Sequence, residues 1–466
     1  MKHMRTIVVL VVLVAVAVSL SMAQLKYIER FPFPDTTTAK PWGTTKLPFG
    51  VLNGGLGVDP DGKVWFQPYG STGVDSISTG SAYIATRPVY VFNPDGTPAS
   101  FSPITVVTGP NESNVTVTDT IHSRLGYGGN IDPSSGNFIG AWGNWAGKPG
   151  LLLWEIDYKT GAGVRRTLGP TGLGTNSPAS VAVNDAGELF VAGVVGALPG
   201  LVLNPDMTVA TQFAASIPEF GRTIAVSGDG NDVYAPRFTA KKTYVYHSAN
   251  GSLGPYALTD SILQNMSTEA IAIHPTTGHI WASADSRSGR DTADFNYTWS
   301  LNRFYAYDPV GGTLVDSFSV ATTSHGDTLW KAPSYPRGIA FSPGGDTVYV
   351  AHFDVPALPA VVRFIKLDPT SVTRKDGVPN GFELMQNYPN PFNPTTEIRF
   401  SITEGGKTTL IVYDMLGRAV RGLVNGNLSP GTYTATFNAS DLSTGMYIYV
   451  LTSGDARLTK KMVLTK

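Results

Sequence analysis

Arg222, Glu269 and Arg337 stand at one equivalent place in three successive copies of a repeated segment, so a carboxylate falls between two guanidinium groups. If the fold brings the copies together, the trio has two uses. One is an anion-binding or acid–base cluster, in which the flanking cations keep Glu269 ionised and suit it to a base or a ligand rather than an acid. The other is an ion-pair network fastening neighbouring copies, and this plainer reading is favoured. His325, in the segment TTSHGDTLW, is the remaining catalytic candidate. His274 and His279 flank the tight turn HPTTGH and could share a metal across a hairpin, but no third ligand accompanies them, so turn packing is expected. DPDG at Asp59 and SGDGND at Ser227 lack the twelve-residue ligand spacing of a calcium loop. No GxSxG, Walker or HExxH motif occurs. No cofactor is therefore expected, calcium being the one alternative the acidic turns suggest.

A second set of residues suits recognition. Trp142, Trp145, Tyr297, Trp299, Trp330 and Tyr335 fall in the longer connecting segments, and Tyr127 stands at the same repeat position as Arg222. Aromatic rings on such segments stack on sugar faces or anchor protein partners. The alternative is that they pack the segments onto one another.

The repeat must position both sets. GGLGVDPDGKVWFQP, YGGNIDPSSGNFIGAW, ASVAVNDAGELFVAG, RTIAVSGDGNDVYAP, EAIAIHPTTGHIWAS and RGIAFSPGGDTVYVA each read as apolar strand, Gly-bearing turn and second strand ending in small residues. A second strand pair follows most copies, giving four strands in about 57 residues, enough for a propeller blade. The centre of each first strand is small: Gly57, Asn130, Ala182, Ala225, Ala272 and Ala340. Strands that converge on an axis need that, whereas a stacked sandwich does not. The expected fold is an all-β, six-bladed propeller, with room for a seventh blade in the long stretch from Ser71 to Arg124. LKYIERF (Leu25–Phe31) is expected as an outer strand completing the last blade. Strand parity puts first-to-second and third-to-fourth turns on one face. These turns are short, so the opposite, long-loop face is the candidate binding surface. The repeats resemble NHL and YVTN-like propeller repeats, best in YPRGIAFSPGGDTVYVA. That resemblance implies fold rather than function. Propeller lactonases hold a metal through several acidic and amide side chains, and a ring offering only Glu269 and Asn130 departs from that pattern.

The 466 residues carry 34 basic against 35 acidic groups and no cysteine. The charge balance excludes nucleic acid as the main partner. Residues 1–23 combine Lys2 and Arg5 with an apolar run and a small-residue cleavage site after Ser21-Met22-Ala23. They are expected to be a cleaved secretory signal, the alternative being a membrane anchor. The mature chain is then expected to lack a membrane span, to be a monomer, and to hold together without disulfides.

Residues 24–370 are assigned to the propeller, 371–380 to a linker and 381–466 to a small antiparallel β-sandwich. Pro389, Pro391 and Pro394, within NYPNPFNPTTEIRFSI, fix an extended approach to that sandwich's strand TEIRFSI. ELMQNYPNPFNPTTEIRFSI, VYDMLGRAV, LSPGTYTATFNASDLSTGMYIYVL and KKMVLTK together resemble the type A sorting domain of type IX secretion. The matched positions include Pro389, Asn390, Pro391, Phe392, Asn393, Pro394, Gly417, Gly431, Gly445, Lys460 and Lys461. The resemblance implies export through the periplasm of a Bacteroidota-type Gram-negative cell. Its implied partners are the outer-membrane translocon and a sorting protease, and its destination is the medium or the cell surface. The resulting expectation is an exported protein that binds an extracellular glycan or protein through its long-loop face. The alternative is an extracellular lactonase-like hydrolase or polysaccharide lyase working at the channel mouth.

Overall fold

The computed structural model describes residues 28–32, 52–68, 75–78, 83–86, 88–94, 96–121, 131–143, 151–168, 179–193, 198–219, 221–284, 299, 303–320, 335–353, 361–365, 372–375, 381–415, 419–440 and 442–466. The expected signal at 1–23 and the candidates Tyr127, Trp145, Tyr297, His325, Trp330 and Gly417 lie outside them, as does Asn130.

Alternating apolar residues and Gly-bearing turns build six small antiparallel sheets in chain order. Sheet 1 holds Leu52–Val58, Val64–Pro68 and Tyr90–Phe92, and sheet 2 holds Phe138–Gly143, Leu151–Ile156 and Gly163–Leu168, with Ile131 bridged to Phe138. Sheet 3 runs Ala179–Val183, Leu189–Gly193, Leu198–Leu203, Val209–Ile217. Sheet 4 runs Ala225–Val226, Asp232–Arg237, Lys242–His247, Ala257–Ile262. Sheet 5 runs Ile271–Ile273, Ile280–Ser283, Arg303–Asp308, Thr313–Ser319. Sheet 6 runs Tyr335–Phe341, Thr347–Phe353, Val361–Ile365, and its fourth strand is Ile28–Pro32 from the other end of the chain. Ile28 lies opposite Ile365 and Glu29 opposite Phe364, so the early strand completes the last sheet.

Hydrophobic cores show how the sheets are arranged. Trp65, Phe138 and Trp154 pack sheet 1 on sheet 2, and Leu153 and Val191 pack sheet 2 on sheet 3. Phe213 with Tyr246 joins 3 to 4, and Tyr234 with Ile280 joins 4 to 5. Phe304 with Phe364 joins 5 to 6, and Tyr349 with Phe66 joins 6 back to 1. The ring closes on itself, and the fold is a β-propeller. Each sheet buries both faces against neighbours, which is why its strands read as nearly continuous apolar runs. A cavity of about 640 Å³ sits at the centre, lined by Gly57, Ile131, Ala182, Ala225, Ala272 and Ala340 from the six innermost segments. Gly57, Ala182, Ala225, Ala272 and Ala340 of the small-residue column therefore meet at one hub, the sixth member, Asn130, lying outside the described residues.

The turn leaving each innermost strand carries a glycine, and Gly62, Gly136, Gly187, Gly230, Gly278 and Gly345 hold φ between 69 and 79°. That left-handed conformation strains any side chain with a Cβ. Pro60, Pro133, Pro275 and Pro343 from these turns rim the central cavity, which opens on the short-turn face.

Two insertions form hairpins. Asp75–Ser78 pairs with Tyr83–Thr86, and Val106–Pro110 pairs with Thr116–Thr120. The second, within the stretch that left room for a seventh blade, packs along the outermost strand of sheet 2. Gly109 lies backbone-to-backbone on Gly163, where an added Cβ would fall 2.2 Å from the Gly163 oxygen. Arg166 Nε donates to Asp119 at 2.6 Å and Trp154 Nε1 to the same carboxylate at 3.0 Å, tying the ribbon down.

The C-terminal unit is a two-layer sandwich. One sheet orders Val372–Lys375, Gly431–Asn438, Thr395–Ile402, Glu383–Leu384, and the other Ala419–Leu428, Gly406–Asp414, Gly445–Ser453, Ala456–Leu464. Ile398, Phe400, Tyr433, Phe437, Val412 and Tyr449 fill the layer between them. The expected linker at 371–380 is not wholly a linker. Val372–Lys375 pairs with Gly431–Asn438, because alternation in VTRK lets it extend an otherwise open edge.

Candidate functional site

The repeat places Arg222, Glu269 and Arg337 at the starts of three adjacent innermost strands, and the fold brings them together. Arg337 Nε donates to Glu269 Oε2 at 2.6 Å, and Arg222 Nε lies 3.3 Å from the same oxygen. Glu269 is 1% exposed and Arg337 is buried. Thr223 Oγ1 donates to the Glu269 carbonyl at 3.3 Å, while Ser283 Oγ accepts from the amides of Glu269 and Ala270 at 3.2 and 3.0 Å. The Arg222 guanidinium covers the Phe238 ring at 5.2 Å. One carboxylate thus joins sheets 4, 5 and 6. Closed off from water and already engaged by two cations, it is poorly placed to reach a substrate or a metal from solvent. Among the described residues no group of three acidic or imidazole side chains is arranged to hold a metal ion.

The aromatic candidates separate. Trp142 was expected in a loop, and this is corrected. It lies in the strand Phe138–Gly143 opposite Leu152, is 0% exposed, and belongs to the core between sheets 1 and 2. The reason lies two residues earlier. A Cβ at Gly140 would fall 2.0 Å from Cη2 of Trp142, so glycine at 140 leaves room for the ring to fold inward. Trp299 is half-buried, donates Nε1–H to the Gln264 carbonyl at 2.9 Å, and meets Tyr305 edge-on with centroids 5.0 Å apart. Tyr335 begins the first strand of sheet 6, but its side chain lies outside the described part.

His274 resolves as turn packing. Its Nε2 is 3.0 Å from the Gly345 carbonyl of the next sheet, and Nδ1 faces the amides of Thr276 and Thr277 at 3.4 and 3.3 Å. Asp229 and Asp206 cap short turns in the same manner. The Ser227 hydroxyl, and in the other case the Thr208 hydroxyl, pulls each carboxyl below its ordinary value, helped by backbone amides. Asp59 departs from this. Burial pushes its carboxyl up, against the Trp65 indole N–H at 2.9 Å and the Lys63 amide.

Arg237 went unnoticed in the sequence. It is 2% exposed at the end of the second strand of sheet 4. The one signal was an arginine where the matching strand of sheet 3 ends in Gly193 and sheet 5 continues into Ala284.

In the C-terminal unit the proline-rich segment is tied to the last strand. Phe392 is buried, its amide donates to the Val463 carbonyl at 2.9 Å, and its own carbonyl accepts from the Thr465 amide at 2.9 Å. Asn390 Oδ1 accepts from the Val463 amide at 2.9 Å. Asn387 is buried, donating to Thr396 Oγ1 at 3.0 Å and to the Pro389 carbonyl at 2.9 Å. Tyr388, Pro389, Asn390, Pro391 and Asn393 remain exposed on the outside, Tyr388 by 82%. Lys460 and Lys461 are exposed along the edge strand Ala456–Leu464. Gly445 starts the neighbouring strand of that layer, and Gly431 starts a strand of the other layer. Residues 386–465 match the family described as secretion system C-terminal sorting domain. The sorting domain marks the chain for secretion or cell-surface display in bacteria of the Bacteroidota type, and it implies contact with the secretion machinery. Among the described residues no helix is long and apolar enough to cross a membrane.

No curated protein matches the sequence. Among solved structures the chain is similar to the periplasmic gluconolactonase of Pseudomonas aeruginosa at 13% identity and TM-score 0.40, covering 85% of this chain and 90% of that one. It is similar to a protein from Lactobacillus plantarum at 12% identity and TM-score 0.38, covering 81% and 99%. A chain of a nidogen–laminin complex gives 13% identity and TM-score 0.36, covering 63% and 92%. At these values the likeness carries no functional argument.

Proposed function

We propose that the exported chain is a six-bladed propeller that acts outside the cell as a binding protein, taking a glycan or protein ligand on its long-loop face. The observation that carries this reading is the state of Glu269. Two guanidinium groups hold it at 2.6 and 3.3 Å in a buried position, so the channel-mouth carboxylate serves as a fastener between sheets. The loop asymmetry supports the choice of face. The turns on one side are short and capped by their own Asp, Asn and Ser side chains, as at Asp132, Asn184 and Ser227. Trp299, among the described residues, sits at the other end of sheet 5, just ahead of the strand Arg303–Asp308. The test is a glycan array and a surface-protein pull-down with the mature protein. Binding lost in Trp299→Ala, with the melting temperature kept, supports the reading. Hydrolysis or elimination of a bound sugar or lactone that disappears in Glu269→Gln replaces it with the enzymatic alternative.

A further inference from the structure

The two layers of the C-terminal sandwich differ on their outer faces. In Thr395–Ile402 and Gly431–Asn438 the residues pointing away from the interlayer core are polar: Glu397, Arg399 and Ser401 on one strand, Thr432, Thr434 and Thr436 on the other. Glu397 and Arg399 pair at 3.5 Å with both side chains more than half exposed, as on an ordinary wetted face. The other layer does not follow this rule. Its central strands, Gly406–Asp414 and Gly445–Ser453, turn Leu410, Val412, Tyr447, Tyr449 and Leu451 into the core. Alternation therefore puts Ile411, Tyr413, Met446, Ile448 and Val450 on the outside, joined by Val463 from the edge strand Ala456–Leu464. Strands that are apolar on both faces belong to a sheet that is covered on both faces.

This outer face holds a groove of about 1180 Å³. Ile411 and Val450, directly opposite each other, form its floor, and Thr409, Tyr413 and Thr452 line it. Beyond it the apolar stripe continues through Ile448 and Val463, both half-buried, to Met446, which is 42% exposed. From Met446 to Thr452 the stripe extends about 20 Å at the usual rise of a strand, the reach of a protein surface rather than of a small ligand. Its charge has one sign. Lys407, Arg457 and Lys461 are exposed at outward positions of the same three strands, whose outward positions carry no carboxylate. Glu404 and Asp455 stand apart, in the turns at one end of the groove. The complementary partner presents apolar side chains rimmed by carboxylates. Because residues 386–465 are a secretion sorting domain, the partner this unit has to meet belongs to the secretion machinery.

We infer that the outer face of this layer, centred on Ile411, Ile448 and Val450, docks onto an apolar, acid-rimmed protein surface of the secretion machinery. Lys407, Arg457 and Lys461 steer that encounter. The inference is independent of what the propeller binds. The test is export of the full chain from its native cells, read by immunoblotting of periplasm, cell surface and medium. Met446→Glu, Ile448→Glu and Lys461→Glu should each lower the exported fraction at least about fivefold. Thr434→Glu and Thr436→Glu, on the polar face of the other layer, should leave it unchanged. Protease resistance of the purified full chain checks that the sandwich has folded. If Ile448→Glu has not, Met446→Glu and Lys461→Glu decide, and if none has, crosslinking decides. A photo-crosslinking residue at position 446 should join the chain to an outer-membrane protein whose removal also blocks export, and the same residue at position 434 should not. Export of folded Met446→Glu and Lys461→Glu at the wild-type level overturns the inference. An equal loss in Thr434→Glu overturns it too, as does crosslinking from position 446 only to lipid or to a second copy of this chain. These outcomes leave the ligand-binding reading of the propeller untouched.

Discussion

Replacing Glu269 by Gln removes the charge from the centre of the three-sheet junction while keeping its shape. The Arg337 contact is short, at 2.6 Å, and buried on both sides, so the penalty for breaking a buried pair applies, about 3–5 kcal/mol. The Arg222 contact is longer, at 3.3 Å, and its cation is partly open to water, so it adds no more than about 1 kcal/mol. The amide oxygen of the substituted side chain can still accept one bond from Arg337, which pulls the expected loss toward about 3 kcal/mol. Urea unfolding of the propeller, followed by tryptophan fluorescence, reads this as a lower midpoint at unchanged slope. Arg337→Met alone should cost a similar amount, and the double variant should cost little more than either, a coupling of about 2 kcal/mol or more. If Glu269→Gln costs less than about 1 kcal/mol, or the two changes simply add, the carboxylate is not a fastener. It would then be available for chemistry, and the binding-protein reading would lose its main support.

Trp142→Ala should lower stability by about 3–5 kcal/mol through the cavity left between sheets 1 and 2, measured by denaturant unfolding, rather than selectively removing ligand binding. Gly140→Ala should cost about 1–3 kcal/mol in the same assay, because the added carbon meets the Trp142 ring. The depressed carboxyls of Asp206 and Asp229 stabilise the fold above their ordinary value of 3.8, and that contribution is lost as the pH falls through their folded values. Ser227→Ala should therefore flatten the acid side of the melting-temperature profile, and an unchanged acid limb would show the turn cap to be irrelevant. Deleting residues 381–466 should leave the chain in the periplasm, seen by immunoblotting of cell fractions, and its arrival in the medium would refute the sorting assignment.

Much of the architecture was legible because its physics is local. Gly-bearing turns at a fixed place after Gly57, Ala182, Ala225 and Ala340 announce hairpins, and the small side chains at those positions announce convergence on an axis. The closing strand Ile28–Pro32 was legible as an unmatched alternating segment. The Arg222–Glu269–Arg337 junction followed from repeat position alone. What escaped depends on contacts between segments. AWGNW looks like a loop until Gly140 is seen to make room for Trp142. Residues 372–375 look like a linker until Gly431–Asn438 offers an edge. Arg237 looks like a surface cation, and only the carbonyls of Pro218 and Pro236 reveal it as buried.

The account depends on a ring that shuts with a strand from the far end of the chain. The native sequence has no cysteine, so Ile28→Cys with Ile365→Cys places two unique thiols directly across the closing pair. Oxidised under native conditions and digested, the variant should yield a single intramolecular disulfide joining the two peptides, seen by non-reducing mass spectrometry. Thiols that stay free in a folded monomer, or that link only between molecules, would contradict the closure and the arrangement of sheets built on it.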